Sequence, residues 1–373
     1  MRLALVRQRY NAYGGAERFI ERALTALRDQ GVEVTVFARE WAGDPGSVVR
    51  CNPFHIGRLW RDLSFARAVR GELARRSFDL IQSHERIAGC DLYRAGDGVH
   101  AQWLQNRGAA LGPAARLGLT LNPYHRYVLA AERKVFESPR LRGVICNSRM
   151  VREEIRSRFG VPEAKLHVIY NGIDLEAFHP RLRETHRAPI REKLGIAPDA
   201  LVHLFVGAGF ERKGVFPLLE ALARTVRGAH LVVVGRDKLQ KRAERLANSL
   251  GIAQFVHFVG GQPDVRPYYG AADGFVLPSL YDPFPNAALE AMACGLPVTT
   301  TPQCGTSELI EEGGEGFIVD ALAVDALAAA LSKLDVRKAR EMGRRARQRA
   351  ETLSLESMTE RLLALYRSLM RTA

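Results

Sequence analysis

Long uncharged runs are scarce in this chain. One of the longest, Ala291 to Ser307, contains two prolines, two glycines and four threonines, whereas a bilayer span needs about 20 consecutive, mostly apolar residues. A transmembrane helix is therefore excluded. The opening stretch, Met1 to Arg7, is too short in apolar residues for a signal peptide. Cysteine is sparse too: five residues, an odd number, with no Cys-x-x-Cys pair. That argues against structural zinc and for a reducing compartment, so a cytoplasmic protein is expected. Aromatics amount to only 8% and no nucleic-acid recognition motif is present, which removes nucleic acid as the expected partner.

What the chain has in quantity is length, apolar residues and positive charge. Its 373 residues are about two and a half times a usual domain, so two domains are the first expectation. A 47% hydrophobic and 25% charged composition suits large soluble cores and excludes a disordered or collagen-like chain. There are 54 Lys and Arg against 41 Asp and Glu, giving +13. Residues 1–180 hold 28 basic and 19 acidic residues, a balance of +9; residues 181–373 hold 26 and 22, or +4. An excess concentrated in the first half suggests an anionic partner there.

β-Branched runs alternate with helical periodicity along the whole chain. Strands are expected at Arg2–Arg7, Val32–Ala38, Asp79–Ser83, Gly143–Cys146 and Leu166–Tyr170. A helix from about Ala16 to Gln30, stopped by Gly31, follows the first strand. Residues 178–198, opened by His179-Pro180 and holding Pro189 and Pro198, interrupt this pattern and read as an interdomain linker. Strands then resume at Leu201–Val206, His230–Val234, Phe255–Val259, Gly274–Leu277, Pro297–Thr300 and Phe317–Val319. The simplest architecture is α/β: two Rossmann-like, doubly wound parallel-sheet domains, at 1–178 and 179–354, facing one cleft. A C-terminal helix in 355–373 would cross back to the first domain.

The most informative segment runs from Pro278 to Val298. A strand ends at Pro278, a turn follows, Asn286 stands where a helix N-cap belongs, and Gly295 and Pro297 end the helix. Asp282 and Glu290, seven residues apart, bracket this turn. Free N–H groups at a helix start suit phosphate, and a carboxylate suits sugar hydroxyls. A nucleotide sugar offers both partners. Gly207-x-Gly209 could open a dinucleotide fingerprint, but its third glycine position is taken by Arg212, which is too bulky for close helix–strand packing.

The Pro278–Val298 string resembles the acidic–seven residues–acidic signature of family 4 retaining glycosyltransferases of the GT-B fold. Val168–Pro180, with Asn171-Gly172-Ile173-Asp174, resembles the segment preceding that family's linker. Leu204–Gly214 resembles its phosphate loop, and Tyr13-Gly14-Gly15-Ala16-Glu17 its first loop. Lipopolysaccharide-core glucosyltransferases are similar as well. The resemblance implies roles for particular residues. Glu290 would bind ribose hydroxyls, Arg212 and Lys213 the diphosphate, and Asp282 the transferred sugar. Gly260, Gly261 and Gln262 would lie beside the base, and Phe284, Asn286 and Ala287 would complete the donor site. Gly14 and Gly15 would approach donor phosphate and acceptor. By spacing, Asp97 takes the family's catalytic histidine position, with His84 and His100 as further candidates. The family's usual loop arginine is replaced by Ala208, and Arg212 is the candidate to supply that charge.

The resemblance implies a retaining hexosyltransferase, with UDP-glucose as the favoured donor and a lipopolysaccharide-core or related glycolipid as acceptor. The chain lacks the Asp-x-Asp triplet of many metal-dependent glycosyltransferases, so neither a metal nor a cofactor is expected. Two alternatives stand beside this reading: another cell-surface polysaccharide transferase using a different nucleotide sugar, and a catalytically silent sugar-nucleotide binder. Between residues 50 and 80, seven arginines interleave with Leu59, Trp60, Leu63 and Phe65. Trp103, Leu104, Arg107, Leu111, Arg116 and Leu117 form a second such stretch. Apolar anchors among cations suit the inner face of an anionic membrane, so a monomer peripheral to that surface is expected.

Overall fold

The computed structural model describes residues 1–10, 31–41, 47–225 and 228–371. The expected helix over Ala16–Gln30, with Gly14 and Gly15, lies outside the described residues. The chain divides into two compact units: Met1–Gly172 with Leu355–Ala373, and Ile173–Ser354. The division falls at 172/173 instead of 178/179. The cause is local: Ile173 donates its amide to Leu353 O at 2.9 Å and bridges Ser354, tying residues 173–178 to the second unit.

The first unit carries β1 (Arg2–Val6), β2 (Arg9–Tyr10), β3 (Glu33–Ala38), β4 (Glu40–Trp41), β5 (Ser47–Arg50), β6 (Leu80–Ser83), β7 (Leu92–Arg94), β8 (Gly143–Cys146) and β9 (Leu166–Val168). Seven of these form one parallel sheet in the order β5-β3-β1-β6-β7-β8-β9; β2 and β4 pair separately. Alternation along β1 gives the sheet two apolar faces. Ala4 and Val6 join one core with Phe37, Phe65, Tyr93 and Val144. Leu3 and Leu5 join the other with Val36, Leu80 and Ile145. The helix Leu355–Arg371 closes that second face through Leu355, Met358, Leu362, Leu365, Tyr366 and Leu369, a stripe at helical spacing. The strands β5 and β7 are too short to stand out in the hydropathy pattern.

The second unit contains β10 (Val202–Val206), β11 (His230–Val234), β12 (Val256–Gly260), β13 (Gly274–Leu277), β14 (Val298–Thr300) and β15 (Gly316–Ile318). All are parallel, in the order β12-β11-β10-β13-β14-β15. This is the doubly wound Rossmann order, which reverses direction between β10 and β13, and ligands bind beyond the carboxyl ends of strands at such a reversal.

Residues 178–198 are not a linker. The helix Leu182–Lys193 runs through them with Pro189 inside it. Its buried face consists of arginine instead of leucine, which hides it from an apolar-periodicity reading. Arg183, Arg187 and Arg191, one turn apart, reach the buried carboxylate of Asp273 at 3.0, 2.9 and 2.6 Å. The partner helix Arg266–Ala271 comes so close that a Cβ on Gly270 would meet Leu182 O at 2.4 Å.

Candidate active site

Two loops leave the reversal point of the second sheet, one after β10 and one after β13. The first, residues 207–214, is shaped by glycine. Gly214 has φ +76°, and a Cβ there would lie 2.0 Å from Pro278 O in the second loop; only glycine permits that approach. Gly235, at the end of β11, likewise packs against Gly207 O at a distance that excludes a side chain. Asp237 fixes the first loop from behind. One of its oxygens accepts from Gly209 N at 2.7 Å and Phe210 N at 3.1 Å, the other from Leu239 N at 2.8 Å. Partial burial pushes the Asp237 carboxyl up, but these three amides outweigh it and leave it below its usual value.

The second loop is stitched to the first and to the next strand. Leu280 N donates to Arg212 O at 2.9 Å, Asp282 N to Gln303 O at 3.0 Å, and Gly305 N to Asp282 O at 2.9 Å. The Asp282 side chain, 7% exposed, accepts from Lys213 Nζ at 2.8 Å and Arg212 Nη1 at 3.3 Å. Burial alone would raise its pKa; the Lys213 and Arg212 charges more than offset this and hold the carboxyl below its usual range. Arg212 also donates to Tyr281 O at 3.0 Å. Sequence reading groups Arg212, Lys213 and Asp282 as donor-site residues, and here they form one charged cluster.

The helix Asn286–Ala293 starts just beyond this cluster. Its N-cap is Pro285, and Asn286 is its first residue instead of its cap. Proline fits because it has no N–H to satisfy and its extended backbone leads into the helix. Phe284 is buried at 4% exposure, while Asn286 and Ala287 are half-buried in the first turn. Glu290, 9% exposed, accepts a hydrogen bond from the Tyr269 hydroxyl at 2.8 Å; that hydroxyl also donates to Ala287 O at 3.1 Å. Beyond β12, Gly260 adopts φ +69° and its carbonyl accepts from Gly235 N at 2.8 Å. Gln262 folds back onto Val259 O at 2.6 Å.

Asp97 belongs to the first unit, exposed in the turn between β7 and the helix His100–Ala109. His84 is buried against Gln82 at 2.8 Å, and burial with the Arg7 and Arg94 charges keeps its ring neutral. His100 lies 3.1 Å from His125, and burial, Arg86 and His125 push its pKa down to about 3. Two residues important to the site's geometry escape the sequence reading. Asp237 carries a usable signal, an acidic residue two positions beyond a glycine that ends the second strand. Tyr269 carries none, since only the fold brings it to Glu290.

A doubly wound domain with charged, glycine-shaped loops at its reversal point, alongside a second domain of Rossmann type, defines the GT-B class. Family models agree with this along most of the chain: "Glycosyltransferase Family 4" matches residues 13–177 and "Glycosyl transferases group 1" residues 186–351. The chain belongs to the glycosyltransferases, with a family 4 first half and a group 1 second half. It is related to the lipopolysaccharide glucosyltransferase WaaG of Escherichia coli K12, 26% identical over 330 residues, covering 86% of this chain and 85% of that protein. A D-inositol 3-phosphate glycosyltransferase of Gordonia bronchialis is 30% identical over 400 residues, covering 96% and 85%. The crystal structure of WaaG superposes with a TM-score of 0.82 at 26% identity, covering 96% of this chain and 98% of that one.

Proposed function

We propose that this glycosyltransferase moves glucose from UDP-glucose onto a lipopolysaccharide-core or related glycolipid acceptor, with retention of anomeric configuration and without a metal ion. The observation that carries the donor reading is the cluster at the sheet's reversal point, where buried Lys213 and Asp282 pair beside the start of the Asn286–Ala293 helix. Glu290 takes the ribose hydroxyls, with Tyr269 orienting its carboxylate. Lys213 and Arg212 take the diphosphate, and Asp282 the transferred hexose. Lys213 has three protons and Asp282 engages one position, so the ammonium can serve carboxylate and phosphate together. Gly260 and Gln262 stand beside the base, and Phe284, Asn286 and Ala287 line the loop and first helical turn. The family resemblance would give Asp97, Gly14 and Gly15 of the first domain roles toward donor and acceptor.

In the reaction, the bond between the sugar's anomeric carbon and the phosphate oxygen breaks and a bond to the acceptor oxygen forms. The departing phosphate oxygen receives the acceptor's proton on the same face. Charge accumulates on the diphosphate, and fixed cations aimed at it lower the barrier. The WaaG likeness supports glucose and a lipopolysaccharide acceptor. The Gordonia relative favours a second reading, in which the acceptor is a small phosphorylated polyol; assay of both acceptors with one donor separates them.

Membrane docking at an anionic inner face follows from the acceptor. It is supported by exposed Phe54, Ile56, Trp60 and Leu63 beside Arg58 and Arg61, and by exposed Leu117 and Leu121. Phe54 and Trp60 stack edge to face at the surface, 6.3 Å between centroids. Among the described residues no helix is long and apolar enough to cross a membrane.

The donor assignment is tested by calorimetry. Charged hydrogen bonds contribute about 1.5–3 kcal/mol each, so Glu290→Ala should weaken UDP binding about tenfold or more. Wild-type affinity in that variant would remove Glu290 from the site.

A further inference from the structure

A cavity of about 600 Å³ opens in the second unit away from the charged loop cluster. Its walls come from the helix Val336–Glu351, the start of the helix Leu182–Lys193 and the turn at Gly295. The floor is bare backbone: a Cβ on Gly343 would meet Gly295 O at 1.9 Å, so helix and turn touch without side chains and leave the space above them open.

The charge around this cavity does not balance. Arg183, Arg340, Arg344 and Arg347 line it, with Glu351 as the one acid. Glu351 is already answered by Arg347 at 2.8 Å. Asp273, just behind the wall, is answered by three arginines at once. Arg340 and Arg344, one helical turn apart, are exposed and make no ion pair or hydrogen bond among the described residues. Burial pushes Arg183 below its ordinary value despite Asp273, and the Arg187 and Arg340 charges push the same way. Arg340 and Arg344 add uncompensated positive charge to a concave wall whose other two arginines are paired, and such charge raises the local concentration of an anionic ligand.

We propose that this cavity is a second ligand site, distinct from the donor site, that takes a small phosphorylated compound. Guanidinium forks match phosphate oxygens in pairs, and two of them on successive turns can hold one phosphoryl group between them. Pro180, Leu182, Leu296 and Tyr269 form an apolar part of the wall, beside His179 and Gln348, and offer a surface to the body that carries the phosphate. The volume suits a ligand of sugar-phosphate or nucleotide size. Tyr269 is the lining residue that also contacts the donor site, through its hydroxyl on Glu290.

The test is titration calorimetry of the full chain with inorganic pyrophosphate, in an Arg212→Ala/Lys213→Ala background that removes both cations of the donor loop. Binding should be measurable there and should weaken about tenfold or more when Arg340→Gln and Arg344→Gln are added. Arg344→Glu alone, a charge reversal at an exposed position, should weaken it similarly and serves if the combined variant folds poorly. UDP affinity of Arg340→Gln/Arg344→Gln in the otherwise wild-type chain should be unchanged, which keeps this result independent of the Glu290 assignment. Absence of pyrophosphate binding in Arg212→Ala/Lys213→Ala, or equal affinity with and without Arg340 and Arg344, would overturn the proposal.

Discussion

At the scale of single residues, the site is a problem of placing charges of both signs in one buried spot. Asp282 remains ionised because Lys213 and Arg212 reach it, and it holds those cations at the position proposed for the diphosphate. Removing one member should therefore act on the transition state more than on the fold. Lys213→Ala should lower the transfer rate by about 10²–10³, measured below the thermal midpoint that is itself lowered by leaving Asp282 with Arg212 alone; an unchanged rate would show that Lys213 does not face developing charge. Asp282 and Glu290 stand out in the sequence because two acids bracket a turn and a helix start, whereas Lys213 is singled out by the family resemblance of its loop. Asn286 was misplaced by one residue because its preference for N-caps is real, while Pro285 took the position. Tyr269 could not be read at all: its hydrogen bond to Glu290 spans 21 residues, and no local pattern encodes it.

At the scale of elements, the strands were readable from their apolar runs, and the segment after His179 was not. An amphipathic helix normally announces itself by apolar residues on its buried face. The helix Leu182–Lys193 buries arginine stems and satisfies their heads on Asp273 and on backbone carbonyls such as Ala271 O, 3.0 Å from Arg191. Breaking a buried pair from one side leaves uncompensated charge. Asp273→Asn should thus destabilise the second unit by about 3–5 kcal/mol, read by chemical denaturation. By contrast, Asp325→Asn, which breaks the exposed pair with Arg224, should cost less than about 1 kcal/mol. The sign of the pH effect follows: the arginines hold the Asp273 carboxyl below its usual range, despite burial. Its contribution is present above about pH 4 and fades as pH falls through the lowered folded value. A stability profile flat through that acid range in the wild type, or an equal slope in Asp273→Asn, would contradict this.

At the scale of the whole molecule, two doubly wound units follow from length and from the restart of strand periodicity. The return of the chain in the helix Leu355–Arg371 completes the first unit's core with residues distant in sequence from their partners, such as Tyr366 on Gln82, 284 positions away. The basic excess of the first half has its counterpart in the exposed aromatic and leucine side chains of that unit. Co-sedimentation should show salt-sensitive binding to anionic vesicles and little to neutral ones; equal binding to both, or none at low salt, would leave the acceptor's location unsupported. The central claim, metal-independent retaining transfer of glucose, is tested most directly by the product itself. Incubation with UDP-glucose and a lipopolysaccharide-core acceptor in excess EDTA, followed by NMR of the new glycosidic linkage, should give an α-linked glucoside. A β-linked product, or transfer that EDTA abolishes and Mg²⁺ restores, would contradict the account.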